Sequence, residues 1–172
     1  MPRRSIFTIG HSTRTIQQFL ALLKAHGVRE VVDVRTMPGS RYNPQFNKAK
    51  LAASLKKEKI GYVHLPKLGG LRHTSKKSTN LGWRNASFRG YADYMSTADF
   101  ADGLDDLMKI ARTRKTTIMC AEAVPWRGHR SLIADALTKK KWTVLHIQSA
   151  KTANKHKLTP FLRMKAGKIT YP

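Results

Sequence analysis

The 172-residue sequence is poor in acid, with 10 Asp and Glu against 33 Lys and Arg. It has one cysteine, Cys120, and no apolar run of the roughly 18 residues that a membrane-spanning helix needs. A lone cysteine excludes an intrachain disulfide and a cysteine-rich zinc site. The opening MPRRSIFTIG is interrupted by His11 and Ser12 too soon for a signal peptide, so a cytoplasmic protein with no membrane partner is expected. The G-x-x-x-x-G-K-[ST] and G-x-G-x-x-G patterns are both missing, which removes support for P-loop nucleotide hydrolysis and dinucleotide-dependent redox chemistry. No cofactor is expected on these grounds.

The apolar residues that are present cluster in IFTIG, EVVDV and TTIMC, so the chain can bury a core rather than remain a polycationic tail. Its length suits one ordinary domain. The net charge of +23 is unevenly spread. Residues 34–92 hold a single acid, Glu58, whereas residues 93–106 hold five acids and no base. The last third is again strongly basic. Such a surface attracts polyanions and releases counterions from each phosphate it neutralises. Nucleic acid is therefore the expected partner, DNA ahead of RNA, for a monomer or homodimer.

Apolar clusters alternate with helix-period segments in the order β-α-β-α-β-loop-α-β-α-β. Strands are expected near Ser5–Ile9, Glu30–Val34, Tyr62–Leu65, Thr116–Ala121 and Thr143–Ile147. Thr15 with Gln18 reads as a capping box, Gly27 as the stop of the first helix, Asn47 as the cap of the second, and Thr97 as the start of another. Residues 67–90 show no apolar periodicity and read as a long loop. Helical crossovers between strands imply an α/β fold: one layered domain with a mainly parallel sheet of about five strands and helices on both faces. That domain is expected over residues 1–148, followed by a basic extension, 149–172, which adds a short strand near Lys168–Tyr171 or wraps a partner.

Distinctive polar residues gather where the strands end: His11 and Ser12, Asp33 and Arg35, His64, Cys120 and Glu122, and His146. In a parallel sheet these ends share one edge, where ligands of open α/β folds bind. The run Cys120-Ala121-Glu122-Ala123-Val124-Pro125-Trp126-Arg127-Gly128-His129-Arg130 leads from a strand into a helix start suited to an anion. Asp33, Glu122, His11 and His129 are the expected catalytic groups, with Ser12, Arg35, Arg41 and Arg130 binding phosphate or another anion. Trp83, Arg84, Phe88, Arg89 and Trp126 are expected to stack on bases or contact nucleic acid. His64, Cys120 and His146 support the site, Cys120 chiefly as a small core hydrophobe. The four catalytic side chains are also suitable ligands for a divalent metal.

These motifs, Thr8-Ile9-Gly10-His11-Ser12, Asp33-Val34-Arg35 with Pro38, Ser40 and Pro44-Gln45-Phe46, Leu68-Gly69-Gly70, and Cys120-Ala121-Glu122 with Pro125 and His129-Arg130, resemble the prokaryotic domain-of-unknown-function 488 family. The resemblance covers about residues 6–147 and implies a compact α/β domain with a polar site. Gly128 stands where the family usually has cysteine, which removes a second thiol from the last motif.

The expectation is an enzyme acting on DNA, by glycosylase-like or nuclease-like hydrolysis. The alternatives are a non-catalytic DNA- or RNA-binding module and a small-molecule enzyme that recognises a phosphate or other anion. Sulfur transfer is disfavoured, because Cys120 has no CxxC partner or nearby resolving thiol.

Overall fold

A computed structural model describes residues 4–172. The first three residues of the expected 1–148 domain lie outside the described residues.

The elements run β1 (Ser5–Gly10), α1 (Ile16–Ala25), β2 (Glu30–Asp33), α2 (Lys48–Lys57), β3 (Gly61–His64), α3 (Ala86–Tyr94), α4 (Ala98–Thr113), β4 (Thr116–Cys120), α5 (Arg130–Lys139), β5 (Thr143–Ile147), β6 (Ala153–Lys155), β7 (Arg163–Lys165) and β8 (Lys168–Thr170). Six strands form the main sheet in the order β3-β2-β4-β1-β5-β6. The first five are parallel and β6 is an antiparallel edge, while β7 and β8 pair as a separate hairpin. The protein is thus a layered α/β domain.

Both faces of the sheet are covered, which is why β2 and β4 are buried at every position rather than alternately. Along β2, Val31 joins Phe19 and Leu23 of α1 and Leu51 and Leu55 of α2 in one core. Its neighbour Val32 joins Tyr91 of α3, Leu104 and Leu107 of α4, and Leu132 and Ile133 of α5 in the other. Strand β4 divides the same way, Met119 to the first face and Ile118 and Cys120 to the second. The two-residue period of the strand makes this split.

Local signals explain the helix ends. Thr15 and Gln18 form the reciprocal capping box, and Gly27 takes a positive φ of 68° beyond the end of α1. Asn47 begins α2 without capping it, since its side-chain oxygen instead accepts from Ser40 N at 2.5 Å and shapes the preceding loop. Residues 86–90, the end of the stretch read as loop from sequence, instead begin α3, with Asn85 accepting from Ser87 N and Phe88 N. Its buried stripe, Gly90, Tyr91 and Ala92, is too short to show a helical period. Asp93 on this helix organises the loop before it, accepting from Ser75 N, Ser78 Oγ and Asn80 Nδ2 at 2.6–2.9 Å.

Residues 149–172 pack onto the domain. Strand β6 adds to the sheet edge, Leu162 enters the core, and Tyr171 is fully buried with its hydroxyl donating to Asp135 at 2.8 Å.

The strand order places the site. The loop after β1 leads to α1 on one face, and the loop after β4 leads to α5 on the other, although β1 and β4 are neighbours. Connections that diverge at adjacent strand ends leave a crevice between them.

Candidate functional site

The crevice is an open pocket of about 950 Å³ at the carboxyl ends of β1, β2 and β4. Its lining includes His11, Ser12, Arg35, Cys120, Glu122, His129, Phe88 and Trp126 from the expected set. Backbone bonds carry the parallel register past the strands into the loops: His11 N donates to Cys120 O (3.0 Å), Ser12 N to Ala121 O (2.9 Å) and Val34 N to Met119 O (3.1 Å). Gly10 is required at the closest approach, because a Cβ there would lie 1.7 Å from Glu122 O. Ser12 and Leu71, both on the pocket wall, hold positive φ values of 49° and 59°. Non-glycine residues adopt this region at a cost, and Lys59, Lys141 and Ala166 do so away from the pocket.

Asp33 is spent on holding Arg35. Asp33 is fully buried and accepts from Arg35 Nε (2.9 Å), Arg35 Nη2 (2.7 Å), Arg35 N (3.1 Å) and the Tyr62 hydroxyl (2.5 Å). Burial and the Asp33 bond both push the Tyr62 hydroxyl pKa well above its usual value. With its acceptor sites filled, Asp33 holds Arg35 in place rather than facing a substrate. Arg35 also donates to Phe46 O at 2.8 Å and reaches the pocket wall.

His11 is nearly buried and stacks on Phe46, with ring centroids 4.5 Å apart. Its Nδ1–H donates to Ser12 O at 2.9 Å, leaving Nε2 as an acceptor that faces Arg35 Nη1 at 3.4 Å. Burial first, then the Arg35 charge, lowers its pKa and favours neutral imidazole. His129 donates Nε2–H to Val34 O at 2.8 Å and has its pKa lowered to about 4, chiefly by burial. It fixes the entry to α5 against β2.

Glu122 contrasts with both. It is exposed, it is the only carboxylate on the pocket lining, and its side chain makes no hydrogen bond or ion pair among the described residues, although its backbone carbonyl accepts from Cys120 Sγ at 3.8 Å. Arg127 shares the pocket and was not anticipated from sequence; its only signal was its place beside Trp126 in the loop. Asn43, Asn85 and Ser87 also reach the lining, brought there by loops whose path sequence does not reveal.

Arg130 lies off the pocket surface. It is fully buried, donates Nη1–H to Thr8 Oγ1 (3.1 Å) and Nη2–H to Ala123 O (2.9 Å), and leaves Nε without a partner. No carboxylate pairs with it among the described residues. From Thr8 a chain of hydrogen bonds crosses the domain: Thr8 to His146 Nδ1 (2.5 Å), His146 Nε2 to His156 Nδ1 (2.8 Å), and His156 Nε2 to Asp135 Oδ1 (2.7 Å). One tautomer assignment satisfies every link, with each donor pointing from Arg130 toward Asp135. Burial first, then the neighbouring His156, lowers the His146 pKa to about 3. His146 therefore belongs to this internal chain rather than to the pocket. His64 likewise serves the scaffold, bonding Arg35 O through Nε2 at 2.7 Å.

The remaining expected contacts divide. Trp126 is 70% exposed and lines the pocket. Phe88 lines it too, but packs edge-on against Trp83, which sits in a cluster with Phe161 and Tyr171. Arg89 donates to Trp83 O at 3.1 Å, and Arg84 and Arg41 are exposed outside the pocket lining. Cys120 is buried, and burial raises its thiol pKa despite the nearby Arg130, so it is poorly suited to act as a nucleophile. Asp33, Glu122, His11 and His129 do not meet as a ligand set. Among the described residues no three His, Cys, Asp or Glu side chains converge to hold a metal.

A family model described as "Domain of unknown function DUF488" matches residues 15–137. No curated protein and no solved structure matches the chain. No helix among the described residues is long and apolar enough to cross a membrane. The chain belongs to the DUF488 family.

Proposed function

We propose that this member of the family is a cytoplasmic hydrolase acting on nucleic acid, DNA ahead of RNA, with Glu122 as the group that takes a proton from the attacking water. The observation that carries the reading is the isolation of Glu122: one unpartnered carboxylate in an open pocket of a chain charged +23. This acid shares the pocket lining with Arg35 and Arg127 and closes an ion pair with neither, so its carboxylate is open to a ligand.

In this reading the arginines hold a phosphate next to the reacting centre, and Trp126 supplies a face on which an unstacked base rests. His11 Nε2 accepts a hydrogen bond from the bound water or sugar. A single carboxylate favours N-glycosidic hydrolysis, in which water adds its OH to the sugar carbon and its proton to the departing base. Phosphodiester hydrolysis by paired metals usually draws on several converging carboxylates, which these residues do not supply.

The test is Glu122→Gln assayed on a panel of damaged and branched DNA, with binding measured in parallel. The reading expects bound but uncleaved substrate. Full activity in the variant, or no binding even at low salt, would overturn it. Binding whose affinity falls steeply with salt, but with no product from the wild type on any substrate, would leave a binding module instead.

A further inference from the structure

A second cavity, of about 740 Å³, adjoins the first across the Ala123–Trp126 segment and is walled on its far side by residues 154–161. We propose that it binds a nucleotide unit, with the base held between planar side chains and the phosphate at a basic rim. The ligand class rests on the nucleic-acid reading above, but the cavity is separate from Glu122.

Three observations support it. The cavity is lined mainly by flat or apolar groups, among them Trp83, Trp126, Pro125 and Phe161, which suit a ring better than a branched chain. At its edge Asn154 Nδ2 donates to Gln148 Oε1 at 2.6 Å, which leaves the Gln148 amide N–H group and the Asn154 carbonyl oxygen free. An adjacent free donor and acceptor match the edge of a heteroaromatic base and not an acyl chain. The charged groups on the lining, Arg14, Lys155 and Lys157, are all cations with no carboxylate among them, and both lysines are exposed at the rim. The occupant is therefore anionic.

The volume falls within the roughly 300–1,000 Å³ of small-molecule sites. Trp126 is common to both cavities, so one strand laid across it would place consecutive nucleotides in the two. This accounts for a tryptophan that the fold leaves mostly exposed.

The experiment titrates the full-length protein with adenosine 5′-monophosphate, adenosine and inorganic phosphate, read by tryptophan fluorescence and calorimetry. Two of the three tryptophans, Trp83 and Trp126, line the cavity, so saturable quenching by the monophosphate is expected. Adenosine and phosphate alone bind more weakly. Lys155→Glu with Lys157→Glu should weaken the monophosphate about tenfold and leave adenosine unchanged. Asn154→Ala, which leaves all three cations in place, should weaken both ligands. No saturable signal for the monophosphate, or equal binding by the lysine variant, overturns the proposal. So does an equal loss in Arg127→Glu, which would put the nucleotide in the first pocket. A silent Glu122 would leave this titration intact, and a silent titration would leave the Glu122 reading standing.

Discussion

Two carboxylates, Asp135 and Glu122, mark opposite uses of charge in this domain. Asp135 is fully buried on α5 and accepts from His156 Nε2, Thr159 N, Thr159 Oγ1 and the Tyr171 hydroxyl at 2.7–3.1 Å. It ties the C-terminal segment to the sheet and ends the hydrogen-bond chain that starts at Arg130. Glu122 is exposed and its carboxylate accepts from nothing among the described residues. A buried acid is tolerated only when its acceptor sites are filled, so saturation identifies a structural group. An acid left open in a concave site of a chain charged +23 is the basis on which Glu122 is proposed as the functional one. Asp33 falls on the Asp135 side of this division.

Several measurements would break or sharpen the contrast. The largest effect belongs to Asp135→Ala, which strands His156 and Tyr171 without their acceptor. It should cost about 3–5 kcal/mol of unfolding free energy, read by denaturant titration, and a loss below about 1 kcal/mol would remove the structural role. Gly10→Ala should follow at about 1–3 kcal/mol, because its methyl would meet Glu122 O and push the β4 loop away. That displacement should also lower activity, which separates it from a purely structural defect.

The buried histidines add a pH dependence. His129 and His146 titrate near 4 and 3 in the folded chain, against an ordinary value of 6.5. Between these values the unfolded chain binds protons that the folded chain does not, so stability rises with pH across the window. The melting temperature should accordingly fall as pH drops from about 6.5 toward 4 and stay flat between 7 and 8. An unchanged melting temperature across that acid window would contradict the neutral hydrogen-bond chain. The smallest effect is expected at Gly128. A Cβ there lies 3.2 Å from Cys120 Sγ, so Gly128→Cys should close a disulfide on mild oxidation, seen as loss of titratable thiol with little change in stability.

Much of this architecture was legible in the sequence, for identifiable reasons. Strands buried on both faces, such as Glu30–Asp33 and Thr116–Cys120, are contiguous runs that stand out from their surroundings. Thr15 and Gly27 marked α1 because capping and positive φ depend on local chemistry. Helix α3 and strand β6 were hidden. The first has a three-residue stripe containing a glycine, and the second is the polar edge sequence Ala153-Asn154-Lys155.

The site shows the same division. Its groups at strand ends, His11, Arg35 and Glu122, follow from parallel topology. Whether an acid at a strand end is spent, like Asp33, or open, like Glu122, depends on partners such as Tyr62 that only the fold brings near. Arg127 and Asn85 reach the pocket from loops, where sequence carries no period to read.

The most direct test of the contrast measures rate and stability of Glu122→Gln on the same preparation. The account predicts an unfolding free energy within about 0.5 kcal/mol of wild type and a hydrolysis rate lower by about 100-fold or more. A stable variant that turns over at the wild-type rate would contradict it.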